Sequence, residues 1–545
     1  MNKGETNMKK LLSLLLILTL TLSLAACSGN GNAPAAGAGE NGPEAEGTGA
    51  SQEDPAGAGA ESVVLGSLGY FPNSGWDAGS GYEGWYIASY GVAETLYRID
   101  ENFEAYPWLA QSAEQLDSLT WRLELRDGVT FTNGAAMTAE AVKACFERNM
   151  ANNDTAASLP IASIEAEGQT LTIHLESASI NFLREIANPT YWCVYDAAGS
   201  EDFARESFFT GPYRPVSFVP NEKIELVRNE NYWGERPKFA TATLLTVDDV
   251  STLLMAFQNG EIDIVVPVPD ESIQSYLELD HTEVARSLGG RAQFFRFNMN
   301  SPVMADAAVR EAISLCVDRE GYASSICHGL VEPSYGVFPA NMAFGGTDKL
   351  QLTVDRYDTA RAKQLLEEAG YQDTNGDGVL EKDGTPLSVH IVALASQTAQ
   401  VQLCQVLESD LKQIGFAVSL EVVENINDAR SAGAFDLCCE SFNMASNGNP
   451  TSFINRMFAT GGSTNYGGYS NAEVDRLIQE MNAAADLETQ YDRIEKISQQ
   501  IADDCSFIFF AHKYFTGAYN TAKIGNYESQ PCEYYILDSS TAPVQ

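Results

Sequence analysis

An α/β protein in two lobes is the fold that this sequence predicts, and three observations carry the expectation. The chain has 545 residues, more than one core can serve, since single hydrophobic cores stop growing at roughly 250 to 300 residues. From residue 62 onward, apolar positions switch repeatedly between helical and strand spacing, the rhythm of helices layered on a sheet. With 44% hydrophobic and 20% charged residues, the composition is that of an ordinary globular protein, neither fibrous nor polytopic in a membrane.

The elements follow in order. Met8-Lys9-Lys10 is a short positive segment, Leu11 to Leu24 is apolar but too short to span a bilayer comfortably, and Leu24-Ala25-Ala26-Cys27 ends it. This reads as a signal peptide over residues 1–26. Its ending resembles a bacterial lipobox, which implies cleavage before Cys27 and lipid attachment to that thiol. Residues 28–61 are Gly, Ala, Pro, Asn and Glu with almost no large apolar side chain. Such a segment cannot offset its chain entropy by burial, so with Cys27 it reads as a lipidated, flexible acidic tether over 27–61. Ser62-Val63-Val64-Leu65 opens the folded part as a strand, and a loop rich in glycine and aromatics follows, including Tyr70, Phe71, Trp76, Trp85, Tyr86 and Tyr90. Trp121–Arg126 and Leu171–Leu175 alternate as half-buried strands do, and between them Thr138 caps a helix with Val142, Cys145 and Phe146 on one face. Asp306 caps a helix carrying Val309, Ala312 and Ile313; Asp358 caps another carrying Ala362, Leu365 and Leu366, which stops at Gly370. A stripe from Leu403 to Ile414 ends at Gly415, before a strand at Val418–Val422. Two more amphipathic helices, around Val474–Met481 and Ile494–Ile501, precede the apolar run Phe507–Phe510. These stripes read as core.

Charge and motif content exclude several functions. A formal charge of −41 repels phosphate backbones, so no nucleic-acid partner is expected. Ten cysteines are present; no Cys-x-x-Cys occurs among them, which argues against a structural zinc site or a redox motif. There is no Gly-x-Ser-x-Gly or His-Glu-x-x-His, and the five histidines are scattered without ligand spacing, so no enzyme is expected. Asp373-Thr374-Asn375-Gly376-Asp377-Gly378 has the oxygen spacing of a calcium loop at Asp373, Asn375 and Asp377, yet Gly384 stands where that loop needs a bidentate Glu. The segment reads as a polar turn, with calcium as the alternative and no other cofactor.

A series of short motifs in fixed order adds a resemblance. Glu94-Thr95-Leu96-Tyr97, Pro107-Trp108-Leu109-Ala110, Leu125 to Gly134, Gly211-Pro212-Tyr213, Arg228 to Gly234, Val309-Arg310-Glu311-Ala312-Ile313, Ala362 to Tyr371 and Gly468-Tyr469-Ser470-Asn471 together resemble the family 5 extracellular solute-binding proteins of ABC importers. That family includes dipeptide-, oligopeptide- and nickel-binding proteins. The resemblance implies a two-lobed periplasmic-binding-protein-like fold of type II, in the large cluster with an inserted subdomain, and a ligand cleft between the lobes. Lobe I is then expected over 62–289 and 507–545, with the insertion at about 98–206, and lobe II over 290–506. The chain would cross near Gly290 and near Ser506. A monomer is implied, delivering its solute to an ABC permease and its ATPase from the outer face of the membrane.

The same resemblance bears on the ligand. Peptide-binding members place an acidic residue before a Gly-Asp-Pro-like turn, where it meets the peptide's ammonium. Here the turn is Ser446-Asn447-Gly448-Asn449-Pro450, without that charge. Nickel-chelate binders use an arginine after a proline in the insertion and a histidine beyond the turn. Pro189-Thr190-Tyr191-Trp192-Cys193 and Thr460 to Asn465 contain neither, although Asn181 to Glu185 and Asn231 to Pro237 are worded like the nickel branch. The expected cleft residues are Tyr86, Tyr90, Tyr191, Trp192, Phe442, Asn443, Ser446 and Asn447, whose aromatic, amide and hydroxyl groups suit a neutral or zwitterionic organic ligand. Arg296 could meet a ligand carboxylate or serve the hinge. The expected function is capture of a small peptide or peptide-like solute by lobe closure, with a nickel chelate as the alternative. A ligand sensor for a membrane receptor and an extracellular hydrolase are the remaining readings.

Overall fold

The structure, a computed structural model, describes residues 62–545 apart from 70–71, 73–74 and 354–355. The signal segment, Cys27, the tether, Tyr70 and Phe71 lie outside the described residues.

Among the described residues eleven strands form one mixed sheet. At its centre two long strands, Thr282–Phe297 and Phe507–Asn520, pair antiparallel. On one side of them lie Leu437–Asn443, Ser388–Leu394 and Ala417–Val423; on the other lie Ile264–Val265, Ser62–Ser67, Thr241–Thr246, Lys223–Arg228 and Tyr213–Val219. Four pairs are parallel: Ser62–Ser67 with Thr241–Thr246 and with Ile264–Val265, and Ser388–Leu394 with Ala417–Val423 and with Leu437–Asn443; each needs a crossover connection, which the helix Thr398–Gln413 supplies between Ser388–Leu394 and Ala417–Val423. The two long strands therefore belong to both halves. Their ladder is interrupted between Leu288 and Ala292, opposite His512 and Tyr514, a span that includes Gly290. On the second strand, Phe507–His512 pair opposite Ala292–Arg296 and Tyr514–Asn520 opposite Thr282–Leu288; the strand itself continues through Lys513.

Helices start where side chains can satisfy their first N–H groups. Thr138 accepts from the amide of Ala141, Asp306 from Ala308, Asp358 from Arg361 and Asp486 from Thr489. The stripes expected to be core are core: Val309, Ala312, Ile313, Leu403, Leu407 and Leu411 pack together in one cluster, and Val474, Leu477, Ile494 and Ile497 in another. That second cluster is continuous with the inserted segment, a separate four-stranded sheet of Ala110–Asp117, Thr120–Leu125, Thr170–Leu175 and Ile161–Glu167. All nine described cysteines are free and buried.

Three of the motifs that carry the resemblance, those containing Glu94, Trp108 and Tyr232-Trp233, and Thr210 beside a fourth, converge on one buried group. The carboxylate of Glu94, 0% exposed, accepts from Trp108 Nε1 at 2.7 Å, Thr210 Oγ1 at 2.7 Å, Tyr232 OH at 2.9 Å and Trp233 Nε1 at 3.0 Å. The Arg98 guanidinium, stacked 3.7 Å from the Trp108 ring centroid, stands 3.8 Å from the same carboxylate. A buried carboxylate is tolerated when donors and a cation compensate its lost hydration. Gly211 makes the approach possible, because a Cβ there would lie 2.3 Å from the carbonyl oxygen of Val92 and 2.5 Å from that of Gly91.

Candidate functional site: a cleft floored by the two long strands

Where the two halves face each other across the long strands, two adjoining cavities of about 530 and 700 Å³ open. Arg291, Gln397, Gln400 and Lys513 line both. Leu68, Pro267, Asp270, Gln274, Thr516 and Glu533 of the first half wall the first cavity. Arg430, Glu440, Phe442 and Asn443 of the second half wall the other. Combined, the space accommodates a solute larger than a single amino acid, in the range of ordinary small-molecule sites.

Its position follows from the sheet. Arg291 stands at the interruption in the first long strand, and Lys513 on the second long strand lies in the span opposite that interruption. Both side chains are about one-third exposed. Arg291 Nε and Nη2 donate to Glu533 at 3.3 Å each, and Lys513 Nζ to Asp270 at 2.7 Å. The deeper ion pair belongs to the second half: Arg296 Nε and Nη2 donate to Glu440 at 2.7 and 2.9 Å, and Arg430 Nη1 adds a bond at 3.1 Å. Burial by itself would raise the Glu440 carboxyl, but Arg296 and Arg430 outweigh it and hold the group below the ordinary carboxylate range. Three polar atoms in this region, Gln400 Nε2, Asn443 Oδ1 and Arg430 Nε, are buried without a hydrogen-bond partner among the described residues. Cys327, also on the wall, has its thiol pushed up to about 11 by burial.

The expected site residues fall into separate places. Phe442 and Asn443 line the second cavity. Ser446 and Asn447 lie further on, against the inserted segment: the Ser446 carbonyl accepts from Tyr534 OH at 3.1 Å, and Asn447 Nδ2 donates to the Arg184 carbonyl at 3.3 Å. Tyr191 is half-buried with its ring 6.4 Å from that of Tyr82, and burial pushes its hydroxyl up to about 12. Trp192 is core, edge-on to Phe146 at 4.8 Å. Tyr90 is buried in the first-half core and Tyr86 half-buried on the helix Glu83–Ser89. Neither lines the cavities described above. Arg296 requires a correction: it is 1% exposed and its guanidinium is committed to Glu440 and the Thr464 carbonyl, so it serves the second half and is not an open contact for a solute. The groups that sequence reasoning missed are Arg291, Gln397, Gln400, Arg430 and Lys513. Their signal was slight, polar residues breaking apolar strand or helix patterns beside Gly289-Gly290 and after Phe507–Phe510.

The calcium alternative meets a self-contained turn. Asp373 accepts from the amides of Gly376 at 2.6 Å and Gly378 at 3.0 Å, and Asn375 and Asp377 bond each other. The oxygens are engaged with their own backbone, as in an Asx turn. Among the described residues no group of three or more His, Cys, Asp or Glu is placed to hold a metal ion.

Comparison with known proteins agrees with this geometry. The sequence matches the family described as bacterial extracellular solute-binding proteins, family 5, over residues 104–465. It is 28% identical over 453 residues to the nickel-binding protein NikA of Staphylococcus aureus, covering 83% of this chain and 89% of that protein. It is 23% identical over 445 residues to the oligopeptide-binding protein AppA of Bacillus subtilis, covering 77% and 81%. The fold matches the crystal structure of the nickel ABC transporter from Bacillus halodurans with a TM-score of 0.79 at 28% identity, over 89% of this chain and 100% of that one. A cleft between two halves of a shared sheet, a buried carboxylate that gathers three of the ordered motifs, and a sequence match well over half the chain long lead to one conclusion: the chain belongs to the family 5 bacterial extracellular solute-binding proteins, with their two-lobed α/β fold.

Proposed function

We propose that the chain is the extracytoplasmic substrate-binding component of an ABC-type importer, anchored through lipid on Cys27, which captures a small peptide or peptide-like solute and hands it to the permease and its ATPase. The single observation that carries the reading is the cleft itself, floored by the two strands the lobes share. A solute that touches both walls gains more contacts when the lobes close, and that differential affinity shifts the protein toward the closed form. The amide-rich wall of Gln274, Gln293, Gln397, Gln400 and Asn443 supports a ligand with many backbone-like donors and acceptors. A nickel chelate is the second reading, supported by likeness to relatives named for nickel. Titration calorimetry with tri-L-alanine and with nickel plus L-histidine separates the two. X-ray scattering on the same samples should show a smaller radius of gyration with whichever binds. Binding without contraction would overturn the closure mechanism; saturable uptake that persists after deletion of the gene would overturn the transport role.

A further inference from the structure

Three buried arginines stand against a glutamate: Arg98 against Glu94, Arg184 against Glu104 and Arg296 against Glu440. Arg319, in the second lobe, does not. It is 3% exposed, and the oxygens its guanidinium donates to are all neutral. Nε donates to the carbonyls of Phe509 at 2.9 Å and Ser334 at 3.2 Å, Nη1 to those of Ser314 at 3.3 Å and Val317 at 3.4 Å, and Nη2 to Ser314 Oγ at 3.3 Å. The Tyr335 ring covers the guanidinium at 3.9 Å. Burial pulls the Arg319 pKa down, to about 10, and among the described residues only Tyr335 and Cys505 oppose it. Neither is a carboxylate, and burial pushes the Cys505 thiol up to about 12, so it offers no negative charge at neutral pH. On the other side of Cys505, Arg310 is 7% exposed and likewise donates to carbonyls, those of Cys505, Asp504 and Met304. Two buried cations thus meet around one residue with neutral partners only, and a buried charge without a counter-charge is costly.

Against Arg319 lies a cavity of about 30 Å³, walled by Ser314, Tyr335, Cys505, Phe507 and Phe509. That is room for one water-sized ion. Leu352 and Thr353 border both this cavity and a surface groove of about 590 Å³ along the helix Leu487–Asp503, which gives the cavity a way in from solvent. The cavity shares no residue with the two that form the cleft. We propose that it is a halide site, in which one chloride ion from the surrounding fluid sits against the Arg319 guanidinium and supplies the counter-charge that Glu440 supplies to Arg296. A formal charge of −41 repels anions from the surface at large, so occupancy depends on this buried cation. Every wall belongs to the second lobe, and the ion therefore stabilises that lobe whether or not a solute is bound.

The test is thermal unfolding of the full chain in sodium chloride and in sodium bromide, each against sodium gluconate at the same ionic strength. The wild type should melt about 2 °C or more higher in either halide, and the gain should grow with halide concentration, as for any ligand that binds only the folded state. Arg319→Met should melt at one temperature in all three salts. Arg122→Gln, which removes an exposed arginine of the inserted sheet, should keep the full halide response. Crystals of the wild type grown in sodium bromide provide a second reading that does not depend on any variant folding: anomalous scattering should place a bromide beside the Arg319 guanidinium. Equal melting of the wild type in halide and gluconate overturns the site, even with a bromide peak beside Arg319, which would then be an adventitious ion only. So does a halide response undiminished in Arg319→Met, or bromide found elsewhere in the crystal and none beside Arg319.

Discussion

Glu94 shows how much of a family signature can be one residue's hydrogen-bond requirement. Trp108 and the pair Tyr232-Trp233 come from two separate motifs and Thr210 from beside a third, and each donates to its carboxylate. Replacing it with Gln would keep the shape but leave one oxygen for these donors and point an NH₂ at some of them. We expect Glu94→Gln to lower the unfolding free energy by about 3 kcal/mol, the cost of orphaning buried partners of a removed charge. Tyr232→Phe, which deletes one donor, should cost only about 1 kcal/mol. Urea denaturation measures both, and a Glu94→Gln protein within error of wild type would refute the hub. The motifs were legible in the sequence, but their common purpose was not. Glu94 lies 14 residues before Trp108 and 139 before Trp233, and no local spacing reveals a contact made only after the chain has folded. The converse case is Arg296, whose place in an aromatic strand near the crossing suggested a ligand contact. Its partner, Glu440, stands 144 residues away on the neighbouring strand, and that pairing turned a candidate binder into a structural ion pair.

At the scale of elements, helices read more truly than strands. Amphipathic stripes with Asp or Thr caps announced the helices that begin at Ala139, Ala307 and Thr359, because period and cap are both local. The long strand Phe507–Asn520 carries no such local mark of where its ladder with the other long strand is interrupted. It is apolar along most of its length because both halves cover it. At that interruption sits His512, 1% exposed, with Nε2 3.1 Å from the Val337 carbonyl. Burial depresses its pKa from 6.5 to about 4, and the bond to Val337 offsets this only in part. The folded state therefore keeps the ring neutral where the unfolded chain, titrating near 6.5, has begun to take up a proton. Stability from this residue is intact above about pH 6.5, declines as pH falls toward about 4, and is fully lost below that. The total is about 3 kcal/mol at 1.36 kcal/mol per pKa unit. His512→Asn should flatten that part of the curve. Unfolding free energies of the two proteins at intervals from pH 7.5 to 3.5 should converge by about 3 kcal/mol, and parallel curves would show that the ring does not titrate as described.

Across the whole molecule, the lobes are joined at the hinge strands and again far from them. The second junction runs between the inserted segment and the helix Leu487–Asp503 of lobe II. Tyr491 OH lies 2.5 Å from Arg184 Nη2 and donates to Glu104 Oε1 at 3.0 Å, while Asn181 Nδ2 donates to Gln490 Oε1 at 3.0 Å. Asn447 and Asn449, in the turn where related peptide binders differ, bond the Arg184 carbonyl and the Glu185 carboxyl. Beneath them one apolar cluster runs from Phe182 and Trp121 through Phe344 to Ile494. These contacts join the inserted segment to lobe II outside the two cavities, and we propose that they form as the lobes close. On that proposal their contribution adds to the closed state, and a change there moves the open–closed ratio directly. The double variant Gln490→Ala/Tyr491→Phe removes the hydroxyl and amide contacts and leaves the apolar cluster and the cleft lining in place. Each lost bond is worth about 1 kcal/mol, so the ratio of closed to open protein should fall by about tenfold or more. Apparent affinity for a bound solute should weaken by up to the same factor. X-ray scattering of the solute-free variant should show a larger radius of gyration than the wild type, reversed by saturating solute. A variant with unchanged scattering and unchanged affinity would mean that these contacts hold the inserted segment in place and take no part in closure.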